Sequence, residues 1–161
     1  MAYIYPAPGV SGVQATLKIH RFSKTADATG LAIPAIQDVT VNNANDVFTW
    51  TQLDSGSKLQ IATTATNSLS MNIVVDQDSF FGTGSGTTAA AKGIFGLSSE
   101  KAIVEFDLYL GDTSSGAPGK IISGQGYVTG LAPTVSADSP VWVTPVTITV
   151  TGDYTVTTAA S

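Results

Sequence analysis

The stretch VWVTPVTITVTG, from Val141 to Gly152, alternates apolar residues with threonine and contains no charged residue. Because successive side chains of a strand point to opposite faces, Val146, Ile148 and Val150 fall on one face and the threonines between them on the other. The pattern predicts a strand whose apolar face enters a core. Its threonine face would then meet either water or another protein.

The same period of two recurs along the chain. VQATLKIHRF predicts a first strand with Leu17 and Ile19 on one face and Lys18 and His20 on the other. QDVTV, KLQIATTAT, SLSMNIVVD and KAIVEFDLYLGD predict further strands. Six or seven strands and a single helix indicate a mainly β protein, an antiparallel β-sandwich or barrel with one flanking α-helix and extended terminal arms.

TTAAAKGIFGL is the one segment with helical spacing, and it predicts a helix over roughly Thr87–Leu97. Thr87 or Thr88 is suited to cap its start, because a threonine hydroxyl accepts a hydrogen bond from a free N–H of the first turn. Two glycines within the segment weaken it, so the helix must rely on packing. Its shared face carries Ala90, Ile94 and Leu97.

The 161 residues are interpreted as one domain with extensions. Prolines and glycines in residues 1–12 predict an N-terminal arm, and the uncharged end predicts a C-terminal arm over residues 153–161. Residues 42–57 mix Asn, Asp and Gly with Val47, Phe48 and Trp50, which predicts a long hairpin or a protruding loop. The first residues lack the pattern of a signal peptide, and no segment has the apolar length of a membrane span.

Charged residues make up only 12% of the chain, about half the usual share of roughly 25%. A poorly charged exterior is expected when neighbouring subunits cover it, although a secreted β-domain with a Thr/Ser-rich surface has a similar composition. The net charge is −5 and no basic patch is visible, so tight binding to nucleic acid is not expected. The absence of cysteine excludes disulfides and thiolate metal sites.

Catalytic patterns are weak. A Ser-His-Asp site would have to use the one histidine, His20, which its strand places on a polar face, so a surface role is expected. GTGSG, at Gly82–Gly86, departs from both the dinucleotide and P-loop spacings and is interpreted as a mobile connection. No enzyme activity and no cofactor are therefore expected.

The carboxylates do not form a clear site either. Asp76 and Asp78 are spaced as at the start of a calcium loop, but two phenylalanines follow where another oxygen ligand and a glycine belong, so no metal site is expected. Glu105 and Asp107 share a strand face at about 7 Å from each other, which indicates a solvated acidic stripe.

Four segments of the second half together resemble the tail tube (major tail) proteins of tailed bacteriophages, which are related in fold to the tubes of contractile injection systems. They are MNIVVDQD, TTAAAKGIFGL, AIVEFDLYLGD and GKIISGQGYVTGLAPTVSADSPVWVTPVTITVTG. The resemblance covers about Ser70 to Gly152. The first half matches in outline only, through an arm, a strand and a long loop.

The resemblance implies a structural protein of the virion tail, made in the cytoplasm of the bacterial host. Its subunits would form six-fold rings whose sheets join into an inner barrel, and stacked rings would conduct the genome without binding DNA specifically. The other expected partners are tail proteins: the terminator, the baseplate or tip, and the tape measure. No membrane partner is implied.

In this family the chain ends contact the adjacent ring, and so does a long loop between early strands. The matching loop here is Asn42–Ser57. Phe48 and Trp50 are the leading interface residues, because large aromatic side chains in a polar loop are costly unless they dock. Trp142 also suits a core or a subunit interface. A negative lumen would repel phosphate, so we expect some of these carboxylates to face it: Asp76, Asp78, Glu105 and Asp107. The alternative is a β-sandwich binding module for carbohydrate or a receptor, which would need an exposed aromatic platform.

Overall fold

The computed structural model describes residues 17–33, 36–53, 56–110 and 119–158. In these ranges the chain forms eight strands and two helices. In chain order they are β1 (Leu17–Arg21), β2 (Leu31–Ala32), β3 (Ile36–Thr51), β4 (Lys58–Val74), α1 (Gln77–Phe81), α2 (Ala89–Glu100), β5 (Ile103–Leu110), β6 (Lys120–Leu131), β7 (Thr134–Ser136) and β8 (Ser139–Thr158). Residues 1–12 of the expected N-terminal arm lie outside the described residues, as do residues 159–161.

All the strands belong to one antiparallel sheet in the order β2-β1-β5-β6-β8-β4-β3, with β7 paired to the beginning of β8. The mainly β, antiparallel class predicted from the sequence is confirmed, and so is a flanking helix. Residues 42–51 belong to β3, so the Asn-rich segment forms one side of a hairpin. Residues 153–158, expected in the C-terminal arm, are the last residues of β8.

One face of the sheet carries the core. In β8, the side chains of Val146, Ile148 and Val150 are buried while Thr149 and Thr151 are exposed, which confirms the alternation seen in the sequence. The core continues through β1, β4 and β5, whose inward side chains are Leu17, Ile19, Leu69, Met71, Ile73, Val104, Phe106 and Leu108. Phe80 of α1 and Ile94 and Leu97 of α2 close it.

α2 starts two residues later than predicted and ends three residues later, with Thr88 as its cap. The Thr88 hydroxyl accepts a hydrogen bond from Ala91 N at 3.3 Å. Gly93 interrupts the helix at φ 69° and ψ 172°, so the first turn buries Ala89 and Ala91 while Ala90 is only half-buried. The helix α1 was not predicted, because five residues are too few to show a period; Asp76 caps it by accepting from Ser79 N.

Gly93→Ala is expected to lower the free energy of unfolding by about 3 kcal/mol or more, as measured by urea denaturation. The backbone region of Gly93 is nearly exclusive to glycine, and a Cβ there would lie 2.5 Å from Phe80 O and 2.6 Å from Phe81 C. Gly96→Ala is the matched control, because Gly96 has no positive φ and its Cβ would meet only side-chain carbons of Lys92, the nearest at 3.2 Å, and no backbone atom. That variant should lie within about 1 kcal/mol of wild type. Equal effects of the two substitutions would contradict this account.

The strand registers give the molecule two distinct ends. Pairing of β4 with β8 stops at Asn67 and Val150, and the β3–β4 hairpin continues past that point as the arm (residues 44–53 and 56–66). The part of β3 in the arm has eight residues, from Ala44 to Thr51, and at ~3.4 Å each they make the arm roughly 27 Å long. The two helices follow the opposite end of β4, called the helix end here. In the described ranges, neither helix has the length and hydrophobicity of a membrane span.

Candidate functional site

The arm carries an apolar face formed by cross-strand pairs. Phe48 lies opposite Ile61, and Trp50 lies opposite Leu59. The Phe48 and Trp50 rings stack with centroids 5.8 Å apart, which places both side chains on the same face. Phe48 is 59% exposed and Ile61 is 55% exposed. The structure therefore brings the two aromatic residues predicted for an interface together with two aliphatic residues that were not predicted.

A β-bulge determines which way this face points. Residues 45–47 of β3 are matched by residues 62–65 of β4, so β4 holds one extra residue. Successive side chains of β3 point to alternate faces of the strand. Val39 packs against the core, so Phe48 and Trp50 point to the opposite side. The extra residue in β4 moves Leu59 and Ile61 to that same side. The apolar face of the arm thus points away from the subunit's own core, with Phe48 and Ile61 exposed and Trp50 and Leu59 half-buried.

The helix end exposes a second set of apolar side chains. Phe81 and Phe95 are 59% and 48% exposed, and both rings contact the buried Phe80, at centroid distances of 4.9 and 5.9 Å. Trp142, at the beginning of β8, is 51% exposed, and its carbonyl accepts from Val75 N at 2.8 Å. Trp142 therefore lies at the opposite end of the molecule from Phe48 and Trp50.

The four carboxylates proposed for a lumen are not together. Asp76 and Asp78 are exposed at the helix end, and Glu105 and Asp107 lie on β5. The expected solvated stripe is wrong for Asp107, which is 4% exposed and in contact with Lys24 from residues 22–30 and Ser123 of β6. Its carboxylate accepts from Ser123 Oγ at 2.5 Å and pairs with Lys24 Nζ at 2.7 Å.

Lys24 joins the two carboxylates of β5. Its backbone N–H donates to Glu105 at 2.9 Å, and its Nζ lies 3.8 Å from the same carboxylate. Partial burial works to lower the pKa of Lys24, but the bond to Asp107 and the charges of Asp107 and Glu105 outweigh it and raise that pKa. Much of the negative charge on this strand is therefore compensated within the subunit.

The expectation that His20 is a surface residue is wrong, because it is 4% exposed. Its Nδ1 lies 2.7 Å from Asp27 O, and since a carbonyl only accepts, Nδ1 carries the proton. Nε2 lies 3.9 Å from Asp107 Oδ2. Ser123 donates to Asp107 and not to His20, so these side chains do not have the order of a Ser-His-Asp site. No group of three or more metal-ligating side chains occurs in the described ranges.

Asp27 is a buried polar residue that sequence reasoning missed. Its carboxylate accepts from three backbone N–H groups: Ala89 at 2.8 Å, Arg21 at 3.1 Å and Gly30 at 3.1 Å. These bonds tie the first residue of α2 to β1 and to the 22–30 loop. Burial opposes ionisation of Asp27, but the three N–H groups outweigh it and hold its pKa below the usual range.

This pKa predicts acid sensitivity. A carboxyl whose pKa is lower in the folded state stabilises the protein above its unfolded pKa, and that contribution is lost as the pH falls through the folded pKa. We expect the free energy of unfolding to decline below about pH 4. Urea titrations of wild type and Asp27→Asn across this range measure it. The difference between the two proteins should shrink with acid; a constant difference would show that ionisation of Asp27 contributes nothing.

Comparison with solved structures finds the same fold in tail and injection-system assemblies. The SPP1 tail tube gives a TM-score of 0.65 at 10% identity, covering 91% of this chain and 79% of that one. The tail of an empty gene transfer agent particle, with C6 symmetry, gives 0.59 at 11% identity, covering 87% and 95%. The sheath–tube complex of an extracellular contractile injection system gives 0.54 at 13% identity, covering 96% and 93%.

No protein-family model matches the chain, and no curated protein matches it significantly. The structural likeness spans most of the chain, including the first half, where the sequence resemblance was in outline only. The resemblance inferred from the sequence is thus confirmed at the level of fold: this chain has the fold of tail tube proteins.

Proposed function

We propose that this chain is the tail tube protein of a phage-like particle, a structural subunit that assembles into stacked hexameric rings around a channel for DNA. The observation that carries the proposal is the arm, whose apolar face points away from the subunit's own core. A projecting two-stranded hairpin is marginal in water by itself. Its apolar face therefore requires a partner, and the fold is that of proteins that assemble into tubes.

The distribution of exposed apolar side chains supports stacking in one direction. One set lies on the arm and the other at the helix end, so the two surfaces of a subunit differ and face opposite ways. Contacts between unlike surfaces that face opposite ways do not close a two-fold dimer, and where no rotation closes them into a ring they continue as a filament. Phe48 and Trp50 would contact the adjacent ring on one side, and Trp142, at the helix end, would contact the ring on the other side. The C6 symmetry of the gene transfer agent tail supports six copies per ring.

The charge of the chain suits a channel that DNA passes without being held. Six copies at −5 each carry −30, which opposes binding of phosphate. Of the four carboxylates proposed to face the lumen, Asp76 and Asp78 are exposed and Glu105 is half-buried. Asp107 is buried and paired with Lys24, so it would contribute least to the charge of the lumen. The proposal also places terminator, tip or baseplate, and tape-measure proteins among the partners, and it assigns the chain a structural role without catalysis.

Electron microscopy of the purified protein tests the proposal, together with sedimentation over a range of concentrations. Rings or tubes with a central channel are the expected result. The stacked Phe48–Trp50 pair also suits a glycan-binding module, the second candidate. A monodisperse monomer that binds glycans, and that does not polymerise even when tail tip components are added, would replace the tube proposal by the second one.

A further inference from the structure

Phe22, which directly follows β1, has an unusual backbone conformation. Its φ is 65°, in the left-handed region that bulky residues rarely enter. Ser23 N donates to Arg21 O at 2.8 Å, so these three residues form a γ-turn with a positive φ at its centre, which is the rare and strained form. Strained backbone is concentrated at functional sites, where the surrounding structure holds it. A gain elsewhere must therefore offset the cost of this conformation.

The turn itself does not require a phenylalanine, because glycine or asparagine adopts a positive φ at a lower cost. In the described ranges Lys101 is the other non-glycine residue with a positive φ, at 54°. It ends α2 as a left-handed cap, and its N–H donates to Leu97 O and Ser98 O. Phe22 has no such role at a helix terminus. The reason for a phenylalanine in this turn must therefore lie in its ring.

The ring of Phe22 gains little within its own subunit. It is 45% exposed, and the guanidinium carbon of Arg21 lies 4.2 Å from its centroid in a cation–π contact. Such a contact at an exposed site typically stabilises a protein by less than the strain of one bulky residue costs. Arg21 does not depend on the ring, since its guanidinium donates to Thr87 O and to Glu100, at 3.0 Å in both cases. The ring is therefore a net cost for an isolated subunit.

The position of Phe22 is at the helix end. Its N–H donates to the carbonyl of Ile103, the first residue of β5, at 2.8 Å. The strands from β5 through β6 and β8 to β4 alternate in direction, so the start of β5 lies at the same end as the last residues of β4. The exposed rings of Phe81, Phe95 and Trp142 belong to this end as well. Phe22 thus adds an exposed aromatic ring to the surface that would face the next copy.

We infer that the Phe22 ring is an anchor for a second copy of this chain at the helix end, and that this contact offsets the strain of its turn. The inference rests on the proposed function and adds a contact residue to it. Charge does not oppose a second copy at this position, because Glu100 pairs with Arg21 beneath the ring at 3.0 Å. A ring that is already held on a guanidinium loses little conformational freedom on binding, which favours affinity.

Phe22→Asn tests this contact, because it removes the ring and introduces a residue that tolerates a positive φ. In urea denaturation, below the concentration at which wild type polymerises, the variant should unfold at the same urea concentration as wild type or at a higher one. Its critical concentration for polymerisation, measured by sedimentation, should rise about tenfold or more. Phe22→Tyr is the matched control, because it keeps the ring and the strained turn. That variant should polymerise as wild type does.

Two results would overturn the inference. Polymerisation of Phe22→Asn at the wild-type concentration would show that the ring has no partner in the assembly. Unfolding of Phe22→Asn at a lower urea concentration than wild type and Phe22→Tyr would show that the ring serves its own subunit. In either case tubes of the wild-type protein leave the proposed function in place and remove only this contact. If wild type does not polymerise even with tail tip components, the result counts against both.

Discussion

Trp50→Ala is expected to prevent tube formation at concentrations where wild-type protein polymerises, while the subunit stays folded. The side chain lies on the arm, outside the core, and stacks on Phe48 in a face that points away from the subunit. Losing a central aromatic residue of an interface costs about 2 kcal/mol or more. At ~1.4 kcal/mol per tenfold, the critical concentration should rise roughly 30-fold or more. Sedimentation of polymer at increasing protein concentration measures this rise.

Thr49→Ala is the matched control for the arm. Thr49 is on the same strand but on its other face, and its removal leaves the backbone edge intact. That variant should polymerise as wild type does, and circular dichroism should show that both variants fold. Polymerisation of Trp50→Ala at the wild-type concentration would mean that the apolar face of the arm is not an essential contact.

Asp27→Ala is expected to lower the free energy of unfolding strongly, on the order of 4 kcal/mol. Hydrogen bonds to a charged group contribute about 1.5–3 kcal/mol each, and this substitution leaves three backbone N–H groups without their acceptor. Domains have a total stability of about 5–15 kcal/mol, so much of it would be lost. Urea denaturation followed by circular dichroism measures the change.

Asp38→Ala removes a carboxylate of another kind and serves as the comparison. Asp38 is exposed and accepts from the backbone and side-chain nitrogens of Asn72 at about 3 Å. Its removal should cost about 1 kcal/mol or less. If Asp27→Ala unfolds at the same urea concentration as Asp38→Ala, then Asp27 does not hold α2 to β1 as its contacts indicate.

The strands and the inward faces of β1, β5 and β8 could be predicted because they depend on local alternation. In β8 the alternation with neighbouring residues assigns each apolar side chain to one face, and Val146, Ile148 and Val150 on that face are buried. The helix α2 was predicted for the same reason. Its boundaries differ from the predicted ones, because Gly93 breaks the period and three residues after Leu97 continue the helix.

The surroundings of His20 and Asp27 could not be predicted, because they depend on contacts between distant residues. Asp27 bonds to Ala89, 62 residues away, and Asp107 to Ser123 on a neighbouring strand. A pattern of alternation assigns His20 to the polar face correctly but does not show that the 22–30 loop covers that face. Trp50 and Phe48 were found because bulky aromatic residues in a polar segment are conspicuous. Their partners Leu59 and Ile61 were missed, because they share a face only after the bulge.

The bulge in β4 restricts how the arm can change length during evolution. Removing one residue between positions 62 and 65 would rotate the distal part of β4 by half a strand repeat and divide the four apolar side chains between both sides. Gaining or losing two residues in one strand of the hairpin would instead preserve the orientation of its distal side chains. Insertions and deletions tolerated along this hairpin should therefore come in even numbers on each strand.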